Sequence, residues 1–162
     1  MTVSVKRPEP VSVEKARRIL RQLTPDPVAG MIPLEDSPGC VLAEEVRSDI
    51  DMPPFEKAMM DGYAVKAADL AETPVTLPVL EEIPAGRAPR RRLRRGECSR
   101  IMTGAPLPAG ADAVVQVEWT EGAGGRVRIL RGVRRGQNVA HRAEDLRVGQ
   151  RVLSRGALIR PA

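Results

Sequence analysis

The chain has 162 residues, enough for one domain of ordinary size or two small ones. Aromatic residues make up only 2% of it, whereas Pro and Gly number 15 and 14, which excludes an aromatic-rich core and argues against an all-helical bundle, since both residues interrupt helix interiors. The net charge of +5 favours anionic partners without choosing among them, and two cysteines with a single histidine exclude a four-ligand structural zinc site.

Met1 to Pro10 is polar and reads as a frayed end. Ser12 then offers a capping hydroxyl and Glu14 a negative charge in the first turn. Val13, Ala16, Ile19, Leu20 and Leu23 follow at helical spacing, with Arg17, Arg18, Arg21 and Gln22 on the other side. The pattern predicts an amphipathic helix from Val13 to Leu23, stopped by Thr24-Pro25-Asp26-Pro27. Ser37-Pro38 can cap a second, short helix ending near Val46, with Ser48 to Met52 extended.

The character changes at Pro53-Pro54, where short apolar runs divided by Gly, Pro and Arg begin. Val75 to Leu80, Cys98 to Met102, Ala113 to Trp119 and Val127 to Leu130 read as strands. A turn at Gly122 to Gly125 makes the last two a hairpin, and the spacing suggests a small barrel or sandwich. Arg151 to Leu153 and Ala157 to Ile159 are further β-like pieces, and the charge run Arg90 to Arg95 reads as an exposed loop. No apolar run resembles a signal peptide or approaches about 18 residues, so the chain reads as soluble and cytoplasmic, with reduced thiols and no membrane partner.

Three stretches carry chemistry. DMPPFEKAMMDGYAV, Asp51 to Val65, holds two of the three aromatics and an Asp-Gly step that presents Asp61 on a turn. RIMTGAPLPAGADAVV, Arg100 to Val115, runs a strand into Thr103-Gly104, where a hydroxyl and glycine backbone could meet an anion. VRRGQNVAHRAEDLRVG, Val133 to Gly149, sets Glu144 and Asp145 beside His141 and Arg142, mixing carboxylates that suit Mg²⁺ with cations that suit oxyanions. Each could equally be an ordinary turn, connection or salt-bridge cluster.

Their joint order is similar to one family. PPFxxxxMDGYAV, Ala85-Gly86, RIMTGAPxPxGADAVVxxE ending at Glu118, RxGQNxxxxxED and the Gly- and Leu-punctuated stretch Gly149 to Leu158 together resemble the MoeA/gephyrin E-domain family over roughly Val13 to Pro161. The resemblance implies an α+β, mostly β chain: a helix in 11–30, a small mixed α/β domain I split between 31–52 and 139–162, and an inserted β-barrel-like domain II at 53–138. It also implies a molybdopterin molybdenumtransferase, which inserts molybdate into adenylylated molybdopterin in molybdenum cofactor biosynthesis. Asp61, Thr103 and Asp145 then become catalytic candidates, Gly104, Arg142 and Glu144 cofactor-binding candidates, and Asp61 with Asp145 the ligands of Mg²⁺.

By the same resemblance the enzyme is a homodimer whose second domain closes over the partner's pterin-binding domain. That domain is absent here, with no Gly-rich loop of its own, so the chain is expected to be inactive alone. A truncated piece is favoured over a short paralogue. Two positions depart from the family pattern: Lys57-Ala58 replaces a small polar residue, and Ala140 stands where family members often carry Arg. A non-catalytic module that pairs with a full-length partner is an alternative reading. Nucleic-acid binding through Arg90 to Arg95 is disfavoured, because no stacking aromatics accompany the run.

Overall fold

The computed structural model describes residues 10–122 and 125–161. All but the last residue of the expected frayed end lies outside these, as do Ala123 and Gly124 of the expected turn. The chain divides into two compact units, one running to Ala43 and resuming at Gly156, the other Glu44–Arg155.

The first unit holds helix α1, Val13–Leu23, with the predicted bounds. Its start is fixed by the Ser12 side chain, which accepts from the Lys15 N–H at 3.2 Å, satisfying one donor that the first turn leaves unpaired. At its end the Thr24 N–H and hydroxyl both bond the Leu20 carbonyl, at 2.9 and 2.7 Å. The helix buries none of its residues, and Val13, Leu20 and Leu23 stay exposed. The short helix expected to end near Val46 does not form. Instead a 3₁₀ turn spans Leu34–Asp36, and the Ser37 hydroxyl turns back to the Leu34 carbonyl at 2.7 Å. Gly39 at φ +88° then breaks any helical path, so Cys40 and Leu42 run extended against Ala157 to Ile159 through hydrogen bonds and one isolated bridge, Val41 to Leu158.

The second unit carries ten strands: β1 Val46–Arg47, β2 Lys57–Ala58, β3 Gly62–Val65, β4 Val75–Ile83, β5 Cys98–Ile101, β6 Ala113–Gln116, β7 Thr120–Glu121, β8 Arg126–Ile129, β9 Val139–Ala140 and β10 Arg151–Leu153. Six form a sheet in the order β6-β3-β5-β4-β8-β7, curled into a half-barrel. The mostly-β, α+β class expected from the sequence is the class observed. The β4–β5 pair is parallel and the others are antiparallel. The hairpin is β7–β8, because a 3₁₀ turn at Val117–Trp119 separates β7 from β6 and sends the two to opposite edges of the sheet.

Side chains alternate across the sheet; β3 is buried on both faces, whereas β8 buries one face and exposes the other. In β3, Tyr63 and Val65 join one cluster with Leu77, Val115, Val127 and Ile129, while Ala64 joins another with Ile83, Leu93, Ile101 and Val114. The core is therefore aliphatic, with Tyr63 as its one buried aromatic. Gly62 is placed by a close approach: a Cβ there would lie 1.9 Å from the Val115 carbonyl oxygen. Only glycine lets β3 come this near to β6, and Asp61 sits immediately before it.

Candidate functional site

Asp61 lies on the turn leading into β3, and the connection after β5 passes directly in front of it. One carboxylate oxygen, Oδ1, accepts from the Thr103 hydroxyl at 2.6 Å and from the Thr103 N–H at 2.7 Å. Two strands fix this pairing, since Gly62 stands opposite Ile101 in the β3–β5 register. The Asp61 carbonyl is also held, by the Val117 N–H at 3.0 Å. The Thr103 hydroxyl bond, then the backbone bond, hold the Asp61 carboxyl below its ordinary value, and the charge of Arg100 adds to the effect. Asp61 is exposed and, among the described residues, its second oxygen has no hydrogen-bond partner.

Gly104 takes the left-handed conformation, φ +82°, that lets the chain turn after Thr103. Its N–H is already engaged by the Ala58 carbonyl at 2.8 Å, and the Thr103 N–H by Asp61. Neither amide is a vacant anion donor in this arrangement. Strand β2 is pinned on both sides. Ala58 N–H bonds the Ala105 carbonyl at 3.0 Å and Lys57 bridges to Pro106, while Lys57 and Ala58 pair with Ala140 and Val139 of β9.

The β9 strand leads into the loop that carries the other predicted residues. Met59 N–H bonds the Asn138 carbonyl at 2.9 Å, Ala143 N–H the Pro53 carbonyl at 3.0 Å, and Asp145 N–H the Met52 carbonyl at 2.9 Å. Asn138 and Ala143 both take positive φ, 59° and 60°, a conformation that costs an L-residue about 1–2 kcal/mol. The surrounding bonds hold that cost in place. Arg142 grips Asp51 through Nε at 2.7 Å and a second guanidinium nitrogen at 2.6 Å. The Glu144 carboxylate accepts the His141 N–H at 2.9 Å, closing its own turn. The Asp145 carboxylate is exposed and makes no hydrogen bond among the described residues. Asp61 and Thr103 therefore meet directly. Among the described residues no side-chain bond joins them to Arg142, Glu144 or Asp145, and no three Asp, Glu, His or Cys side chains converge on a metal-sized site.

Three residues of this region were not singled out in the sequence. Asp51, the first residue of the DMPPF run, orients Arg142. Its carboxyl is lowered first by the Val148 N–H bond, 2.9 Å, and then by Arg142. Arg100, the first residue of RIMTG, supplies charge beside Asp61. Glu56 pairs with His141 at 3.1 Å on the rim of a cavity of about 280 Å³ that Asp112, Arg135 and Gly136 also line. Asp51 and Arg100 stand at the heads of two motifs, which was the available signal; Glu56 lies inside the first.

The MoeA N-terminal region, domain I and II, matches residues 11–162. The chain belongs to that family. It is similar to "Molybdopterin molybdenumtransferase 2" of Mycobacterium tuberculosis (strain CDC 1551 / Oshkosh), 38% identical over 155 residues, covering 93% of this chain and 38% of that protein. It is 34% identical over 160 residues to the molybdopterin molybdenumtransferase of Bacillus subtilis (strain 168), covering 94% of this chain and 37% of that protein. The crystal structure of the molybdopterin biosynthesis moeA protein from Pyrococcus horikoshii OT3 superposes with a TM-score of 0.75 at 38% identity, over 80% of this chain and 35% of that one. The chain thus spans less than two fifths of the length of these curated relatives. The MoeA N-terminal match includes all three stretches that build the site, Asp51 to Val65, Arg100 to Val115 and Val133 to Gly149.

Proposed function

We propose that this MoeA N-terminal region supplies the lid half of a molybdopterin molybdenumtransferase site, where molybdate is inserted into adenylylated molybdopterin. The observation that carries the reading is the Asp61–Thr103 pair: one oxygen is fixed by two short hydrogen bonds and the other faces solvent, ionised and available. Mg²⁺ characteristically takes one or two protein carboxylates together with waters and substrate phosphates, not a closed protein cage. The exposed carboxylates of Asp61 and Asp145 suit that mode. Asp61, fixed by Thr103, would help hold Mg²⁺, which would supply charge neutralisation for phosphate. Gly104 shapes the turn, Glu144 closes the second loop, and Arg142 acts through Asp51 to hold that loop.

Lys57 stands opposite Ala140 in the β2–β9 register, and directly opposed residues share a face. A cation therefore returns to the edge where family members often carry Arg. We assign domain I to 31–52 and 139–162, domain II to 53–138, and the helical arm to 11–30. The exposed apolar stripe of α1 supports pairing, in a homodimer or with a full-length partner, and the proposed reaction is one of the cytoplasm. The same stripe fits the alternative, a regulatory module that pairs without turning over.

The test mixes the full chain with the separately prepared remainder of a relative and follows molybdate insertion. Turnover is expected only in the mixture, and D61N is expected to reduce it at least about 100-fold. Turnover by the chain alone, or full activity in the D61N mixture, would overturn the reading. A mixture that assembles without turnover would favour the regulatory module.

A further inference from the structure

The connection from β4 to β5 carries five arginines in six residues, Arg90 to Arg95, interrupted by Leu93. It is a rigid frame. Leu93 is 1% exposed and its N–H bonds the Ala109 carbonyl at 2.9 Å. Gly110 lies against it so closely that a Cβ there would fall 2.3 Å from the Leu93 carbonyl oxygen.

Nearby carboxylates bind this frame through its backbone. Glu81 accepts the N–H groups of Arg90 and Arg91 at 3.1 and 2.9 Å, Glu97 that of Arg94 at 2.7 Å, and Asp69 that of Gly96 at 2.7 Å. These carboxylates take their short hydrogen bonds from amides, and among them only Asp69 also pairs with a guanidinium of the run. Among the described residues Arg90, Arg91, Arg92 and Arg94 make no ion pair, and Arg95 makes one at 3.5 Å with its side chain 90% exposed. Four cationic forks therefore project from a backbone that is ordered in advance.

We propose that this loop is a docking surface for an acidic segment of another protein, a run of Asp or Glu carboxylates. Arginine forks match carboxylates two bonds at a time, and a preordered frame lowers the entropy lost on binding. The run spans at most about 20 Å when extended, the reach of a short peptide. A nucleic acid fits less well. None of the three aromatic residues, Phe55, Tyr63 and Trp119, lies in the run to stack a base.

The experiment uses the full chain and a fluorescein-labelled oligoglutamate peptide, with anisotropy as the readout. R90Q/R91Q/R92Q/R94Q keeps the backbone donors and removes four charges; R17Q/R18Q/R21Q/R155Q removes the same number elsewhere. The first variant is expected to bind at least about 10-fold more weakly than the parent, and the second to bind within about twofold of it. Oligo-dT of the same length is expected to bind more weakly than the peptide. Equal losses in the two variants would mean that net charge alone is responsible and would overturn the proposal, as would no peptide binding by the parent. Tighter binding of oligo-dT than of peptide would overturn it in favour of nucleic acid.

Discussion

Replacing Gly62 by alanine tests the packing that positions Asp61. The added Cβ would lie 1.9 Å from the Val115 oxygen, 2.8 Å from its carbonyl carbon and 3.0 Å from Gln116 Cα, all of them backbone atoms of the neighbouring strand. Ordinary contact begins near 3.4 Å, so β3 and β6 must separate locally by about 1.5 Å. A ladder bond near 2.9 Å does not survive that displacement. Gly62 pairs with Gln116, and the next pairs, Tyr63 with Val115 and Ala64 with Val114, lie in the buried centre of the sheet. Losing two such bonds with buried donors left unpaired costs about 1–3 kcal/mol each, or about 2–6 kcal/mol together. The gain from replacing a strand glycine offsets at most about 1 kcal/mol. With a urea dependence of about 2 kcal/mol per molar, the midpoint of G62A should fall by about 0.5–3 M. G86A is the control: nothing lies within 4 Å of a Cβ there, so only the left-handed strain at φ +80° remains, about 1–2 kcal/mol. If G62A unfolds within about 0.5 M of the parent, the close approach is not what fixes β3.

The Asp61 carboxyl should titrate below 3.8, and T103V should move it upward by removing the hydroxyl bond, read by carbon NMR of the carboxylate. Because the folded value is depressed, the stabilisation is present above the unfolded value and lost as pH falls through the folded one; T103V should therefore show a weaker acid dependence of stability below about pH 4, and an unchanged titration would refute the bond. Cys98 is fully buried, its thiol pushed up to about 12 by desolvation, whereas Cys40 is exposed. A thiol reagent at pH 8 should modify one cysteine in the native chain and both in denaturant; rapid native modification of two would contradict the burial.

Elements with local causes were legible in the sequence. The spacing of Val13 to Leu23, the Ser12 cap and the Pro25 stop define α1 without tertiary help, and the structure keeps those bounds. The runs Cys98 to Met102 and Val127 to Leu130 mark β5 and β8 within one residue. The second helix was misread because Ser37-Pro38 resembles a start signal. Its hydroxyl instead ends the preceding turn, and Gly39 reverses the chain. β3 was hidden because Gly62-Tyr63-Ala64-Val65 has no alternation: both its faces are buried, which follows from its central place between β5 and β6 and not from these four residues. In the site, Asp61 and Thr103 stood out through their motifs, and they touch. The engagement of Arg142 by Asp51, 91 positions away in sequence, is set by the return of the chain, which no local pattern encodes.

Strand β2 is two residues long, yet it is bonded on one side to the segment after Thr103 and on the other to the segment before Arg142. Three stretches remote in sequence are stitched there into a single plate. Carboxylates mounted on such a plate are oriented when the chain folds, so an arriving anion or cation meets groups whose freedom has already been surrendered.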